Sequence, residues 1–363
     1  MTGPETKQRT GRRPDRGFWR GRRVLLTGHT GFKGAWAALW LEHLGAQVHG
    51  FALAPDTQPS LWAEAGEGLL ASEVRGDLAD PAALAAAVAA ARPHIVLHLA
   101  AQALVHRGYE DPVGTVRTNS LGTVNLLDAL RRCDTLEAAV IVTTDKVYAN
   151  DGSGRPLVEG DALGGEEPYG ASKAAADLLT QAFARSFFDP RGVAVATARA
   201  GNVIGGGNWS ADRLVPDIWR SAISGVPLVL RAPASTRPWQ HVLEPIAGYL
   251  AFAEDLAAGR PVPRALNFGP PPGAPVTVAA LAEAMLDALG VRRHWDVQTE
   301  GQMPEAALLA LDSSLADRSL GWRARLTAAD AVRWTAAWYA AHRGGAAARM
   351  LCLDQIHQYE ALP

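Results

Sequence analysis

The fold of this chain is decided near its start by the run Val24-Leu25-Leu26-Thr27-Gly28-His29-Thr30-Gly31-Phe32-Lys33-Gly34. The apolar residues predict a short buried strand from Arg22 to Thr27, and the apolar stretch 35–44 predicts a helix. Glycines between a strand and a helix allow a tight turn and a close backbone approach, and the N-terminus of the helix attracts phosphates. The unit therefore predicts a dinucleotide site, although its spacing is Gly-x-x-Gly-x-x-Gly rather than Gly-x-Gly-x-x-Gly.

The elements that follow alternate in the same way. Short apolar runs predict buried strands, and Ala- and Leu-rich stretches predict helices between them. The predicted strands lie at Gln47–Leu53, just before Arg75, at His94–Leu99 and at 138–142, and the longer predicted helices begin near Asp80 or run over Asp111–Arg132 and Tyr169–Phe188. This alternation predicts an α/β fold of the Rossmann type, with a doubly wound parallel sheet.

The alternation ends after Ala198, where the glycine-rich loop 201–209 begins. Residues 18–198 are therefore predicted to form a dinucleotide-binding Rossmann domain. Residues 199–363 are predicted to form mainly a smaller C-terminal substrate-binding lobe, from which some segments can return to the first domain. The substrate is expected between the lobes. Residues 1–17 are rich in Gly, Pro, Arg and Thr and predict a flexible N-terminal arm.

The composition argues against several classes of protein. The 363 residues carry a formal net charge of -2 and no long basic tract, so nucleic-acid binding is not expected. No apolar run is long enough to span a bilayer and the start lacks an apolar signal region, so we expect no membrane partner and a cytoplasmic location. Two cysteines, Cys133 and Cys352, are too few for a disulfide framework. The histidines lack the spacing of metal ligands, so no metal is expected.

The end of the second strand leaves the choice of dinucleotide open. Chains of this kind carry an acidic residue about 20 positions after the glycine loop, where it binds the adenosine ribose. Here the strand ends Phe51-Ala52-Leu53-Ala54-Pro55, Asp56 comes only after the proline, and no arginine takes the place of the acid. The sequence therefore only favours NAD over NADP.

Two polar segments follow the strand predicted at 138–142. The first is Thr143-Thr144-Asp145-Lys146-Val147-Tyr148, at the strand end where an open α/β sheet binds its ligands. The second, Tyr169-Gly170-Ala171-Ser172-Lys173, opens a helix and places Tyr169 and Lys173 on one face. An ammonium beside a phenol favours the phenolate, so we expect the pKa of Tyr169 to fall from about 10 toward neutrality. Such a tyrosine can take a proton from a hydroxyl while the carbon gives up a hydride.

Together these motifs resemble the extended short-chain dehydrogenase/reductase superfamily. The glycine loop, the turn at Asp77, the strand end Leu99-Ala100-Ala101, Thr144 and the Tyr169/Lys173 pair carry the resemblance. Four strings also look like those of the CDP-glucose 4,6-dehydratase branch, and the likeness runs from about Phe18 to near the C-terminus. These strings are Thr27–Gly34, Thr144-Asp145-Lys146, Arg199–Gly207 with Trp209, and Arg237–Pro245.

The resemblance implies a set of site residues. The implied catalytic residues are Thr144, Asp145, Lys146, Tyr169 and Lys173. The implied contacts to an NAD cofactor are Gly28, Thr30, Gly31, Phe32, Lys33, Gly34, Asp77, Leu78, Leu99, Ala100, Ala101, Gln102, Thr143, Tyr169, Lys173, Ala200 and Asn202. The implied contacts to the nucleotide sugar are His106, Asn202, Trp209, Arg213, Arg231, Arg237 and His241. Arginines are suited to the diphosphate because they bind phosphate oxygens in a bidentate way.

The resemblance also implies the reaction. Hydride leaves C4 of the sugar for NAD+ while Tyr169 takes the hydroxyl proton, water is eliminated across C5 and C6, and hydride returns to C6. The product is a 4-keto-6-deoxy sugar. Asp145 matches the acid of the dTDP-glucose relatives, and Lys146 stands where their glutamate base would be, as in the CDP-glucose branch. Because a nearby carboxylate would keep Lys146 protonated, we expect the two side chains to point apart, Asp145 toward C6 and Lys146 toward C5.

The chain departs from the family pattern at His106 and Gly108, where the family has arginine and serine. Both residues are expected to face the sugar, so NDP-hexoses other than CDP-glucose stay open as substrates. An NDP-sugar 4-epimerase, a 5,6-dehydratase and a non-catalytic NAD-sensing protein are the alternatives. The Asp145–Lys146 pair argues against the epimerase, and an intact Thr144, Tyr169 and Lys173 argue against the sensor.

The two long helices predicted over 111–132 and 169–188 also bear on assembly. They are apolar around more of their surface than one contact with a sheet requires. Related enzymes pair through these helices. We therefore expect a homodimer or a homotetramer.

Overall fold

The computed structural model describes residues 11–273, 275–292, 294–298 and 307–363. Strands of these residues form one large sheet and three small ones. They are β1 (Arg23–Thr27), β2 (Gln47–Ala52), β3 (Ser72–Arg75), β4 (Ile95–His98), β5 (Ala138–Val142), β6 (Ala194–Ala200), β7 (Val203–Ile204), β8 (Leu228–Leu230), β9 (Thr236–Arg237), β10 (Gln240–His241), β11 (Ala265–Phe268), β12 (Val276–Thr277) and β13 (Trp295–Val297).

Helices connect the strands on both sides of the large sheet. They are α1 (Arg16–Trp19), α2 (Phe32–His43), α3 (Leu61–Ala65), α4 (Pro81–Ala91), α5 (Val105–Glu110), α6 (Pro112–Val116), α7 (Gly122–Leu130), α8 (Pro168–Phe183), α9 (Leu214–Ser224), α10 (Leu243–Ala257), α11 (Val278–Ala288), α12 (Ser314–Leu320), α13 (Ala328–Arg343) and α14 (Ala348–Ala361). The helix predicted over 111–132 contains a π turn at Arg117–Leu121, and the one predicted over 169–188 ends in another at Ala184–Phe188.

The large sheet has seven parallel strands in the order β11-β6-β5-β4-β1-β2-β3. The order reverses direction at β1, and the carboxyl ends of β1 and β4 lie side by side there. In doubly wound sheets this reversal point is where a ligand binds. The prediction of a Rossmann-type parallel sheet is confirmed.

The two faces of the sheet carry separate hydrophobic cores. Side chains alternate along each strand, so Val24 and Leu26 of β1 point to one face and Leu25 to the other. The first face is covered by α2 and α10, with α14 packed on the outside of α2, and the second by α4, α7 and the end of α8. Because both faces are buried there, the central strands β4 and β5 are almost continuously apolar in the sequence.

The C-terminal half contributes both to the large sheet and to a smaller lobe. Strand β11 forms the edge of the large sheet beside β6, and α10 packs on β5 and β6. The smaller lobe holds three two-stranded sheets, β10 with β7, β12 with β9 and β13 with β8. The lobe therefore begins close to the carboxyl ends of β5 and β6.

The start of the described chain is anchored to α10. Arg12 forms ion pairs with Glu254 at 2.8 Å and with Asp255 at 2.6 Å. The backbone N–H of Asp15 donates to Glu254 at 2.7 Å. The predicted flexible arm over residues 1–17 is therefore wrong for residues 11–17, because two buried carboxylates hold them. The rest of that prediction lies outside the described residues.

Candidate active site

The glycine loop between β1 and α2 leaves bare backbone at the start of a helix. Gly28 has a φ of +77°, and a Cβ at this position would lie 2.6 Å from the amide nitrogen of Ala100. A Cβ at Gly34 would clash with the carbonyl oxygen of Gly28. Gly31 is the N-cap of α2, and no side chain of the described residues caps this helix start. The bare backbone and the helix dipole fit the pyrophosphate of a dinucleotide.

The predicted contacts beyond the loop reach toward the ends of β2 and β3. The hydroxyl of Thr30 donates to the carbonyl oxygen of Leu53 at 2.9 Å. Asp77 is partly exposed and lies 3.5 Å from Arg117. Leu78 is buried in the second core, and its carbonyl oxygen accepts a hydrogen bond from the side chain of Asn125. Its side chain and its carbonyl are therefore held by the protein, and the predicted cofactor contact of Leu78 stays a prediction.

A buried polar network fixes the strand end at Leu99–Gln102. Asn119, in the π turn, accepts from the backbone N–H of Gln102 at 2.9 Å and donates to its carbonyl at 3.0 Å. The Asn119 amide also donates to the hydroxyl of Ser172 in α8 at 2.9 Å. The end of β4 is thereby tied to the helix that carries Tyr169, with the small side chains of Ala100 and Ala101 between the loop and the network.

The catalytic strand end turns sharply after β5. Thr144 caps the single 3₁₀ turn Asp145–Val147, and its hydroxyl donates to Asp145 Oδ1 at 2.9 Å. Lys146 Nζ lies 3.4 Å from the same Asp145 Oδ1. Asp145 is 1% exposed, and its other oxygen, Oδ2, has no hydrogen-bond partner among the described residues. A buried carboxylate oxygen without a partner is costly, and it is available to a substrate hydroxyl.

The prediction that Asp145 and Lys146 point apart is wrong. The turn after β5 brings neighbouring residues to the same side, so the amine and the carboxylate form an ion pair. Sequence adjacency would have placed them on opposite sides only if the strand had continued through them.

Tyr169 and Lys173 lie one turn apart on α8, and both are buried. Lys173 Nζ donates to the carbonyl oxygen of Val142 at the end of β5, at 2.8 Å. Burial and, less strongly, the charge of Lys33 lower the pKa of Lys173 to about 8, although the charge of Asp177 raises it. Burial raises the pKa of Tyr169 to about 12, against a lowering by a hydrogen bond with Thr144 and by the charge of Arg213.

The predicted fall of the Tyr169 pKa toward neutrality is therefore wrong for this structure. The ammonium of Lys173 is engaged by a backbone carbonyl, and the desolvation of a buried phenol outweighs the nearby positive charges. The resting tyrosine is protonated, and it becomes a base only when its surroundings change.

A second lysine from the glycine loop reaches the same region. Lys33 Nζ lies 3.4 Å from the hydroxyl of Tyr249 on α10. Burial lowers the pKa of Lys33 to about 8, the charge of Asp145 raises it, and Arg213 lowers it. The predicted cofactor residue Lys33 is thus coupled electrostatically to Asp145 and Lys173, at the catalytic end of the site.

Beside the catalytic turn lies a cleft that opens toward the smaller lobe. It is lined by Val105, Asp145, Lys146, Tyr148, Asn150, Glu166, Glu167, Arg237 and Leu309. Arg237 is 7% exposed, and its guanidinium donates to the carbonyl oxygen of Thr236 at 2.9 Å. The structure therefore places Arg237 in the same cleft as Asp145 and Lys146.

The two other predicted arginines are placed differently. Arg213 bridges the lobes, because its guanidinium donates to the carbonyl oxygen of Ala103 at 2.7 Å, and its charge acts on Tyr169 and Lys33. Arg231 is exposed, and its guanidinium donates to the carbonyl oxygen of Asp212 at 2.7 Å. Arg213 thus lies near the catalytic centre, whereas Arg231 does not line the cleft.

The remaining predicted substrate contacts are mostly packing residues. His241 is fully buried, with its ring edge-on to Trp36 and Trp334, so it cannot touch a substrate there. Trp209 packs edge-on against Trp338 and Tyr339 rather than on the cleft. These two positions correct the predictions, because other aromatic rings, among them Trp36 of α2 and Trp338 of α13, pack against both side chains.

His106, Asn202, Thr143 and Ala200 lie at the margins of the site. His106 is partly exposed on α5 and lies 3.6 Å from Glu110. Asn202 joins β7 to β10 through its carbonyl oxygen, and Ala200 is buried at the end of β6. The hydroxyl of Thr143 donates to Asp177 at 3.2 Å, so its side chain supports the sheet rather than the cofactor.

Three supporting features escaped the sequence reasoning. Glu167 caps α8 by accepting from the backbone N–H groups of Tyr169 at 2.7 Å and Gly170 at 2.8 Å, and the run Glu-Pro before Tyr169 was a usable signal for it. Arg199 forms a buried bidentate pair with Asp177, which joins β6 to α8. Tyr249 lies in an apolar helix far along the chain, and no local signal marked it.

The assembled groups are suited to proton transfer on a polyol. Within the described residues, the phenol of Tyr169, the carboxyl of Asp145 and three amines, those of Lys33, Lys146 and Lys173, lie beside the exposed backbone of the glycine loop. No group of three or more His, Cys, Asp or Glu in these ranges is placed to hold a metal ion. The described helices include none that is both long and apolar enough to cross a bilayer.

Comparisons with known proteins agree with this geometry. The sequence model of the NAD dependent epimerase/dehydratase family matches residues 24–269. The chain is 42% identical to a CDP-glucose 4,6-dehydratase of Salmonella typhimurium over 334 residues, which cover 89% of this chain and 93% of that protein. It is 32% identical to a dTDP-glucose 4,6-dehydratase of Streptomyces griseus over 270 residues, 74% of this chain and 77% of that protein. The crystal structure of the dTDP-glucose 4,6-dehydratase DesIV from Streptomyces venezuelae, with NAD and TYD bound, matches with a TM-score of 0.74 at 27% identity and covers 89% of this chain and 98% of that one.

Proposed function

This chain belongs to the NAD dependent epimerase/dehydratase family, and we propose that it converts CDP-glucose to CDP-4-keto-6-deoxyglucose and water. One observation carries the proposal. Asp145 and Lys146 line one cleft, and Asp145 keeps a buried oxygen without a partner among the described residues. An epimerase acting at C4 has no use for such a pair beyond its tyrosine. The relative that shares 42% identity is named for the CDP-glucose reaction.

The cofactor is NAD, and the residues present fit it. The backbone of Gly28, Gly31 and Gly34 would hold the pyrophosphate at the start of α2. When bound, NAD accepts a hydride and later returns it, so the sugar changes without net oxidation. The rest of the chemistry is proton movement, which belongs to the side chains of this chain.

The first proton transfer belongs to Tyr169. Its Oη takes the proton of the sugar C4 hydroxyl, and the nearby hydroxyl of Thr144 lowers the pKa of the same phenol. The positive charge of Arg213 favours the phenolate, and a capped α8 holds the ring in place through Glu167. The resulting ketone at C4 makes the proton on C5 acidic.

The elimination belongs to the Asp145–Lys146 pair. A neutral amine must take the C5 proton, and a protonated carboxyl must give a proton to the C6 hydroxyl as it leaves as water. The charged pair, an ammonium on Lys146 with a carboxylate on Asp145, holds the same number of protons as the neutral pair, an amine with a carboxylic acid. The two states differ only in which residue carries the shared proton. Transfer of that proton from Lys146 Nζ to Asp145 Oδ1 across their 3.4 Å contact produces the base and the acid together. Desolvation by the bound sugar favours the neutral pair over the ion pair.

The proposal is tested with a panel of NDP-hexoses. We expect purified protein with added NAD to convert CDP-glucose to a product that has lost one water, and to act more slowly on UDP-glucose and dTDP-glucose. Mass spectrometry identifies the product, and solvent deuterium is expected at C5. A product of unchanged mass but altered chromatographic mobility would indicate an epimerase instead. No turnover of any hexose, with NAD bound, would support a sensor.

The proposal includes a homo-oligomer of at least two chains. Apolar side chains stay exposed on the helices around the two π turns, among them Val113 at 77%, Leu178 at 55% and Leu121 at 50%. A patch of this kind on a monomer is unusual, and a helix face that a second copy covers explains it.

We expect light scattering to give a dimer or tetramer, and Leu178→Glu to give a monomer with the same far-UV circular dichroism. Met350→Glu is the matched control, because Met350 is 57% exposed on α14 and should leave the assembly unchanged. A monomeric wild-type protein at micromolar concentration would contradict this prediction.

The proposal also places the enzyme in the cytoplasm. Both cysteines, Cys133 and Cys352, are buried and free. Free thiols are the rule in reducing compartments.

A further inference from the structure

The end of β2 lacks the acidic residue that usually hydrogen-bonds the adenosine ribose of NAD. Leu53 follows the strand directly, and its side chain is 59% exposed. In dinucleotide-binding sheets this strand end faces the adenosine ribose, where a carboxylate usually accepts from the 2′-hydroxyl. An exposed leucine offers no such acceptor beyond its backbone.

An arginine occupies this corner, and it comes from the neighbouring strand. The register of the sheet pairs Ala52 of β2 with Arg75 of β3. The Arg75 guanidinium donates to the carbonyl oxygen of Leu53 at 3.1 Å. That carbonyl also accepts from Thr30 of the glycine loop. Arg75 therefore lies between the end of β2 and the phosphate-binding loop. The sequence analysis missed it, because the residue lies 22 positions after Leu53 and not beside it.

The charges around Arg75 leave room for an anion. Glu73 lies 2.6 Å from Arg75 and also binds His29 Nε2 at 2.7 Å, so its charge is already engaged. Asp77 is paired with Arg117. Arg75 is 41% exposed, and its two contacts use two of the five N–H donors of a guanidinium. An arginine at this position is the feature that accommodates a 2′-phosphate in NADP-binding sites.

We propose that Arg75 faces the 2′ position of the adenosine ribose and that this site accepts a 2′-phosphate, so that the chain binds NADP as well as NAD. The inference rests on the proposed function only in requiring a dinucleotide cofactor. The 2′-hydroxyl of NAD would meet no dedicated acid here, because the Leu53 carbonyl already accepts from Arg75 and Thr30 and Glu73 already binds Arg75 and His29.

Exchange dialysis measures the preference directly. Purified protein is dialysed to equilibrium against equimolar NAD and NADP, and the two nucleotides released on denaturation are quantified by chromatography. This readout does not depend on activity, and it works whether or not a nucleotide co-purifies. We expect bound NAD and NADP in amounts within about tenfold of each other for the wild type. Arg75→Gln should lower the NADP share about tenfold, the worth of one charge-assisted contact.

Leu53→Asp provides the reciprocal change. The new carboxylate would accept from the 2′-hydroxyl and repel a 2′-phosphate, so NADP should be excluded while NAD is retained. Arg333→Gln is the matched control, since Arg333 lies on α13 and is 68% exposed. It should leave the ratio unchanged.

Two results would overturn the inference. One is a wild type that binds NAD at least about a hundredfold more than NADP. The other is an Arg75→Gln variant that loses both nucleotides equally, which would make Arg75 a structural clamp of β2 and β3. A chain that converts CDP-glucose with NAD yet excludes NADP would refute this inference alone. A chain that binds neither dinucleotide would refute the proposed function as well.

Discussion

Tyr169→Phe is expected to lower kcat for CDP-glucose by about 10²- to 10⁴-fold, the range of a general base. The substitution removes one oxygen from a side chain that is 9% exposed, so packing changes little. The first hydride step needs the C4 hydroxyl to lose its proton, and Tyr169 is the phenol whose pKa is lowered by Thr144 and by the charge of Arg213. Both product formation and the absorbance of reduced cofactor should fall together, because the first step is blocked.

Tyr339→Phe is the control for this substitution. The Tyr339 hydroxyl donates to the carbonyl oxygen of Asn208 in the smaller lobe. Its loss should cost about 1 kcal/mol of stability and leave kcat unchanged. Near-normal turnover by Tyr169→Phe, with the protein folded and NAD bound, would remove Tyr169 from the mechanism.

The pH profile gives a second measurement on the same residue. The resting pKa of Tyr169 is about 12, so the share of phenolate, and with it kcat/KM, should rise with pH through neutrality. Lys173 lies one helical turn from Tyr169 and is charged below its pKa of about 8, so its charge can favour the phenolate only below that pH. The rise should therefore flatten near pH 8. Lys33→Met removes a charge that lowers the pKa of Lys173, and the bend should then move to higher pH. An unchanged profile in that variant would deny the coupling of the two lysines.

The fold was predictable because local patterns dominate it. A few consecutive residues are enough to identify each of three elements: the glycine loop, the apolar strand β5 and the helix that begins near Tyr169. The parallel order then follows from the alternation of strands and helices. The helix predicted over 111–132 contains a π turn, and Asn119 in this turn hydrogen-bonds the backbone of Gln102. The spacing of apolar residues in the sequence does not predict such a turn.

The site was predictable as a set of residues but not as a set of contacts. The Lys173 ammonium donates to the carbonyl oxygen of Val142 and not to Tyr169. Tyr249 lies beside Lys33 although the two residues are 216 positions apart in the chain. Arg75 meets Leu53 only through the register of β2 and β3. These contacts depend on tertiary geometry and on rotamers, which spacing along a chain does not encode. Burial also reversed the expected pKa of Tyr169, because desolvation acts on the folded protein alone.

Lys146→Met is expected to leave the C4 oxidation intact and to block the elimination of water that follows it. The C4 oxidation depends on Tyr169 and should continue, so the absorbance of reduced cofactor builds up after CDP-glucose is added. The elimination should fail, because methionine offers no amine for the C5 proton, and Asp145 loses the group from which it takes its own proton. We expect at least an about 10²-fold loss of the 4-keto-6-deoxy product and no solvent deuterium at C5.

Lys146→Arg separates a base from a fixed charge. Arginine keeps the positive charge beside Asp145 but cannot give up its proton in a protein. If Lys146 takes the C5 proton, the arginine variant should fail as the methionine variant does, and reduced cofactor should accumulate in both. Recovery of product by Lys146→Arg would show that the charge suffices to steady the enolate and that another group is the base. Loss of reduced cofactor in both variants would instead place Lys146 in substrate binding or the first hydride step, since the proton shared with Asp145 matters only after C4 has been oxidised.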